Sequence, residues 1–288
     1  MDKKAVVRMF LERGVLLSKE VLDKIDEGNV AAHLESQPQI VLQAEKENTV
    51  IDVEYPEVKA RLMPEDFHRH VVKKYELIRG IIAKKVDAMS INTAKKEHAA
   101  TVIGVVKSST GNGFILEDPT GEIDVISSEG ADPGDIVAVV GGVKEGIIIG
   151  EEIIHPDIPM IRGSGSIDGM LTVRLHDKGM VLNTGGKVTH IGAMITRTTL
   201  RKAGGSVMLL AFLGEATKEM ATSWLKKRQL PTRLPYENAL NIMEQIPDFL
   251  IVASKAPFYS VYKGVAILGV DKEKSAEINL RTKEAVLV

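Results

Sequence analysis

The sequence predicts an α+β protein with a small helical domain, then a five-stranded barrel, then a mixed domain of strands and helices. Apolar residues recur at helical spacing near the start of the chain. Short β-branched runs, separated by glycines, fill residues 99–154. Beyond residue 159, strand-like runs alternate with one amphipathic helix at 218–228. A length of 288 residues leaves room for two or three such domains.

The first part of the chain predicts a helical domain, a linker and a connecting helix. Within residues 1–35, one helical face carries Val6, Met9 and Phe10. Residues 36–64 are predicted to form a linker, because prolines and a charged run interrupt any periodic pattern. Residues 65–95 read as a connecting helix with apolar residues spaced by three and four.

The connecting helix also carries cations beside its apolar stripe. A solvated cationic face and a face that contacts phosphates are both consistent with this pattern. The sequence therefore offers four candidate DNA contacts: Arg69, Lys73, Lys74 and Arg79.

Residues 96–159 predict the barrel. Five strands closed as a Greek key form the oligonucleotide-binding (OB) architecture. The turn Asp118-Pro119-Thr120-Gly121 predicts a hairpin, because proline presets φ at its second position and glycine accepts a positive φ. Phe114 is the only aromatic residue between Ala99 and Ile154, so the stacking platforms of a single-strand binder are missing. We therefore expect the barrel to contact protein.

Composition excludes several classes of protein. The net charge is −2, so any contact with nucleic acid must be local. There is no cysteine, which removes disulfides, thiolate metal sites and cysteine nucleophiles. We find no apolar run of about 18 residues and no signal-peptide pattern at the start, and we expect a cytoplasmic protein without a membrane association.

Aromatic residues gather in the last third of the chain. Trp and Tyr are enriched at protein interfaces, but they also fill cores. Both readings stay open, and the candidates for an interface are Trp224, Phe258, Tyr259 and Tyr262.

Several stretches occur in an order that resembles the small subunits of archaeal D-family DNA polymerases and the related B subunits of eukaryotic replicative polymerases. They include Phe10–Ser18, Val102–Val106, Leu116–Gly121, His155–Pro159, Trp224–Leu230, Pro247–Phe249 and Tyr262–Val265. The resemblance implies an OB barrel followed by a calcineurin-like metallophosphoesterase domain, here a truncated one at 160–288. It also implies a large catalytic subunit as partner, and contact with DNA through that complex.

In that family the phosphoesterase domain is a 3′→5′ exonuclease that uses divalent metal of the Mn or Mg type. This sequence departs from the pattern, because the early Asp-x-His, Gly-Asp and Gly-Asn-His-Asp motifs are missing after Pro159. The two histidines of the family's Gly-His-x-His motif fall on Ser254 and Ala256, and another family histidine is Gln229. The resemblance thus implies no catalytic residue, no metal ligand and no cofactor.

The resemblance and its missing ligands therefore imply an accessory subunit of a replicative DNA polymerase that scaffolds its large subunit without catalysis of its own. One alternative is an active exonuclease with a rearranged metal site built from His176, Asp177 and His190. The other alternative is a free OB protein that binds single-stranded DNA.

Overall fold

The computed structural model describes residues 49–288 except 58, 161–162, 164, 203 and 233–237. The predicted helical domain at 1–35 and the first part of the predicted linker, residues 36–48, lie outside these residues. From Val50 onward the chain forms one unit. Its helices are α1 (Pro64–Ile82), α2 (Ile91–Ala94) and α3 (Lys218–Lys227). Its strands are β1 (Val50–Glu54), β2 (Ala99–Thr110), β3 (Gly113–Asp118), β4 (Gly121–Ile126), β5 (Ile136–Lys144), β6 (Ile147–Ile154), β7 (Met170–His176), β8 (Gly179–Thr184), β9 (Lys187–Ile191), β10 (Ile195–Lys202), β11 (Gly205–Glu215), β12 (Phe249–Ala253), β13 (Phe258–Tyr262), β14 (Val265–Val270), β15 (Ser275–Asn279) and β16 (Ala285–Leu287).

The predicted five-stranded barrel is confirmed. The strands close in the order β2-β3-β4-β6-β5, which is consistent with an OB fold. The backbones of β3 and β4 approach so closely at Gly113 that only glycine fits. A Cβ on Gly113 would lie 1.8 Å from the carbonyl oxygen of Val125. The predicted hairpin joins β3 to β4, and the Asp118 carboxylate accepts hydrogen bonds from the backbone N–H groups of Thr120 and Gly121.

Helix α1 crosses the outside of the barrel. Acidic residues in its first turn favour the positive end of the helix dipole, and Asp66 accepts a hydrogen bond from the Met63 N–H at 3.0 Å. Farther along, Ile78 and Ile82 are fully buried. They pack in one cluster with Ile103, Ile136, Ala138, Ala239 and Ile242. The second half of α1 is thus fixed to the barrel by apolar burial.

The remaining strands form a sandwich of two sheets. The larger sheet has the order β1-β10-β11-β12-β14-β13, and the smaller one has the order β16-β15-β7-β8-β9. Their inner faces share a core that includes Leu171, Val173, Met180, Leu182, Leu209, Phe249, Ile251 and Leu268. Helix α3 covers the other face of the larger sheet. The described residues are therefore mixed α+β, as predicted, and most of their elements are strands. None of their helices has the length and apolar character needed to span a bilayer.

Strand β1 lies in the stretch for which the sequence predicts a linker. It pairs antiparallel with β10, which follows the whole barrel in the chain. Two ion pairs support the pairing, Glu54 with Arg197 at 2.9 Å and Asp52 with Arg201 at 2.7 Å. The sequence does not predict this strand, because prolines and charged residues flank its β-branched run and its partner is more than 140 residues away.

A polar joint connects the barrel to the sandwich, and Asp157 is at its centre. The Asp157 carboxylate accepts hydrogen bonds from the Tyr262 hydroxyl at 2.9 Å and from the Lys263 ammonium at 2.5 Å. The Arg228 guanidinium donates to the Asp157 carbonyl oxygen at 3.1 Å. Burial, followed by the hydrogen bond to Asp157 and its charge, raises the pKa of Tyr262 to about 12. The barrel and the sandwich are thus held by charge-assisted hydrogen bonds.

We expect the free energy of unfolding to fall as the pH drops below about 7, because two histidines are held neutral. Burial, with Lys226 adding to it, lowers the pKa of His155 below its usual 6.5. Burial, with Lys74 and Lys73 adding to it, lowers the pKa of His70 as well. Within the described part of the chain, the buried Nδ1 atoms of both rings have no hydrogen-bond partner.

The free energy of unfolding falls because the unfolded chain binds more protons than the folded chain in this pH range. As the pH falls through 6.5, the unfolded chain takes up protons at both rings before the folded chain does. The stabilisation from the two neutral histidines is fully present above pH 6.5. It is lost progressively as the pH falls toward the pKa values of the two rings in the folded chain. Urea midpoints at about pH 7.5 and 5.5 measure the loss. The double variant His70→Gln with His155→Gln should show a smaller loss, and an unchanged loss would contradict the assignment.

Candidate functional site

A cleft opens where three parallel strands of the larger sheet end. Strands β11, β12 and β14 run parallel, so their carboxyl ends meet at one edge. Ligands of open α/β sheets bind at such edges. The cleft has a volume of about 580 Å³, and the β7–β8 turn forms its opposite wall. Its charged lining residues are Asp177, Lys178, Glu215, Lys255, Asp271 and Lys272.

The carboxylates of this cleft are already engaged. Glu215 pairs with Lys255 at 3.1 Å, and Asp177 pairs with Lys272 at 2.6 Å. The hydrogen bond from Lys272, and then its charge, lower the pKa of Asp177. Asp271 accepts hydrogen bonds from two backbone N–H groups of the following turn. Three lysines balance the three carboxylates, so the cleft holds no excess negative charge to attract a divalent cation.

The residues at the positions of the family's histidine ligands do not fit a metal centre. Strand β12 ends at Ala253, and the Ser254 hydroxyl donates to the Ala256 carbonyl oxygen at 2.9 Å. The Ala256 side chain has no donor atom, and Gln229 lies within 3.4 Å of an Asp135 carboxylate oxygen at the barrel. In the described ranges no three His, Asp or Glu side chains come together as metal ligands. Among the described residues, the donor set at these positions does not fit a two-metal phosphoesterase.

The alternative ligand set of His176, Asp177 and His190 is only partly brought together. The two histidine rings lie edge to face with centroids 6.1 Å apart, on β7 and β9, the two strands that flank β8 in the smaller sheet. The His176 Nδ1 accepts a hydrogen bond from the Lys178 N–H at 3.1 Å. Asp177 turns to Lys272 instead of the histidines. These three residues do not converge on one point.

The four cations of α1 do not share one face. Arg69 is exposed and lies 3.5 Å from Asp66, and Lys73 is exposed one turn later. Lys74 turns to the barrel and donates to the Gly134 carbonyl oxygen at 2.8 Å, and burial lowers its pKa. Arg79 lines a groove between α1 and the barrel. Only Arg69 and Lys73 stay side by side toward solvent.

The outer face of β3 and β4, where OB folds bind oligonucleotides, is acidic. The pairing places Glu117 opposite Glu122 and Ile115 opposite Asp124. Lys107, on the neighbouring strand, is bound to Glu122. Carboxylates repel a phosphate backbone, so this face opposes DNA. The alternation of acids along β4 is visible in the sequence, but the pairing across the two strands is what assembles the acidic face.

The four aromatic candidates for an interface differ in exposure. The Trp224 side chain is only 7% exposed and lies edge to face on Phe212, with ring centroids 5.0 Å apart. Phe258 and Tyr262 are half-buried against the same cluster. Tyr259 is exposed, and its hydroxyl donates to the Lys283 carbonyl oxygen at 2.9 Å. Trp224 thus belongs to the core, and Tyr259 is the member of this set with the most free surface.

Comparison with known proteins links the chain to a DNA polymerase subunit. No family model matches the chain. The chain is similar to the DNA polymerase II small subunit of Thermoplasma acidophilum, with 27% identity over 191 residues. The match covers 55% of this chain, which spans about 39% of the length of that relative. Together with the co-linear motifs, the similarity supports a relation of this chain to the small subunits of D-family DNA polymerases.

Proposed function

We propose that the chain is an accessory subunit in DNA replication that scaffolds the large catalytic subunit of a D-family DNA polymerase and carries no exonuclease site. The similarity to a polymerase small subunit supports the assignment to such a complex. In this proposal the sandwich is a shortened calcineurin-like domain, and the chain meets DNA through the complex.

The observation that carries the loss of catalysis is the Lys255–Glu215 ion pair in the cleft at the strand ends. A cationic side chain stands between Ser254 and Ala256, where the family has its two histidines. An ammonium group repels a divalent cation, and neither neighbour supplies a nitrogen ligand. We therefore propose that no metal cofactor binds there.

The polar joint at Asp157 suits a scaffold. It fixes the barrel to the sandwich through contacts from Arg228, Tyr262 and Lys263. A rigid body loses little conformational entropy when it binds a partner. The large subunit would then meet both domains as one preformed surface.

The test is co-expression with the D-family large subunit of the same cell, followed by size-exclusion chromatography with light scattering. We expect one stable complex that extends primers. On a 3′-labelled single strand with Mn²⁺ or Mg²⁺, the complex should digest no faster than the large subunit alone. Failure to form a complex would contradict the proposed scaffold function.

The exonuclease alternative has its own control. A triple variant with alanine at His176, Asp177 and His190 is made in the same complex. If metal-dependent digestion occurs in the wild-type complex and disappears in the triple variant, this chain carries an active site and the proposed loss of catalysis is wrong.

A further inference from the structure

The apolar stripe of α1 extends past the part of the barrel that covers it. Phe67, Val71, Ile78 and Ile82 fall on one side of this helix. Ile78 and Ile82 are fully buried, but Phe67 is 43% exposed and Val71 is 55% exposed. The described residues leave the first two turns of the stripe uncovered. An exposed apolar stripe that continues a buried one marks a surface for binding.

A groove runs beside this stripe. Its volume is about 650 Å³, and we call it the α1–barrel groove. One wall is Val71, Val72 and Tyr75, and the other wall is formed by Met89, Ile103 and Val105 of the barrel side. The Tyr75 hydroxyl donates to the Ile103 carbonyl oxygen at 3.2 Å and holds the two walls together. The groove is thus apolar inside and preformed.

The rim of the groove is acidic. Glu76, Glu117 and Asp118 face one cation, Arg79. Asp118 serves the barrel itself, since its carboxylate binds the backbone N–H groups of Ile91, Thr120 and Gly121. Glu76 and Glu117 are exposed and available to an occupant. Glu117 also joins the groove to the acidic face of β3 and β4.

We propose that the α1–barrel groove docks an amphipathic helix of a partner protein, with Lys or Arg beside its apolar residues. A helix fits better than a strand, because the closed barrel offers no free strand edge next to the groove. From Phe67 to Tyr75 the helix rises about 12 Å, which matches anchors at i, i+4 and i+7 of a facing helix. The cations of the occupant would pair with Glu76 and Glu117.

This inference goes beyond the proposed function, and it does not depend on it. The partner can belong to a polymerase complex or to another assembly, because the groove selects by shape and charge alone. The test therefore uses the isolated full chain and a designed peptide.

The probe is a fluorescein-labelled helical peptide of about 16 residues, with leucines at i, i+3, i+4 and i+7 and lysines beside them. A matched peptide carries glutamate at every lysine position. We expect saturable binding of the lysine peptide, measured by anisotropy, and much weaker binding of the glutamate peptide. Preference for the glutamate peptide, or no preference, would overturn the proposal.

Two variants locate the binding site. Val71→Asp should weaken binding of the lysine peptide by about tenfold or more. The control is Val261→Asp on β13, since Val261 is also 55% exposed but lies away from the groove. Circular dichroism checks that both variants fold. Equal effects of the two substitutions would overturn the proposal.

A charge swap gives an independent readout. The double variant Glu76→Lys with Glu117→Lys should prefer the glutamate peptide over the lysine peptide. An unchanged preference would show that the peptide binds elsewhere. Light scattering of the wild-type chain tests the other occupant: self-association that disappears in Val71→Asp would assign the groove to a second copy and overturn the docking of a foreign helix.

Discussion

Replacing Asp248 by alanine is expected to lower the free energy of unfolding by about 3–5 kcal/mol, because this buried carboxylate pairs with the partly buried ammonium group of Lys283. Asp248 accepts hydrogen bonds from Lys283 Nζ at 2.8 Å, from the Gly165 N–H at 2.9 Å and from the Met208 N–H at 3.0 Å. The alanine variant leaves Lys283 and two N–H groups without this acceptor. Urea unfolding followed by circular dichroism measures the change.

The matched control is Asp177→Ala. Asp177 also pairs with a lysine, but both side chains are exposed, and surface pairs contribute little. The double variant Asp248→Ala with Lys283→Met should recover part of the loss, because it removes the uncompensated charge. The assignment fails if Asp248→Ala and Asp177→Ala shift the urea midpoint equally.

Replacing Trp224 by alanine is also expected to lower the free energy of unfolding by about 3–5 kcal/mol. Trp224 projects from α3 into the cluster between this helix and the larger sheet, and it packs edge to face on Phe212. Truncation removes an aromatic pair and leaves a cavity beside buried residues of β12 and β14. Trp224→Phe should lose less, because a ring still faces Phe212.

Tyr259→Ala is the control for this prediction. Tyr259 is exposed and loses one hydrogen bond to a backbone carbonyl group, so we expect a cost of about 1 kcal/mol. Circular dichroism is the readout, since Trp224 is the only tryptophan and its fluorescence disappears in the variant. If Trp224→Ala is as stable as the wild type but no longer forms the polymerase complex, then Trp224 is an interface residue and its assignment to the core is wrong.

Much of the barrel could be predicted from the sequence because its pairings are mostly between neighbouring strands. Glycine turns mark the ends of β2 and β3, and the turn at Asp118 joins β3 to β4 as predicted. The α3 helix could be predicted from its periodicity. The structure buries Ala221, Trp224 and Leu225 on one face of this helix, which decides between the core and the interface for Trp224 in favour of the core.

The candidate site was harder to predict because its contacts join distant parts of the chain. The sequence gives no sign that Lys272 pairs with Asp177, since the two residues are 95 positions apart. Lys255 follows Ser254 directly in the sequence, but its pairing with Glu215 depends on the parallel register of β11 and β12. The α1–barrel groove depends on where α1 leaves the barrel, which its apolar spacing does not reveal.

The position of β1 has a consequence for synthesis of the chain. This strand leaves the ribosome before the barrel, but its partner β10 follows the barrel. Glu54 and Arg197 are 143 residues apart, so at about 5–20 residues per second β1 waits roughly 7–30 s for its partner. The barrel can close during that interval, because its strands are contiguous in the chain. On polysomes, two nascent chains could therefore exchange their β1 strands, and strand-swapped dimers are the misfolded product that this order of synthesis favours.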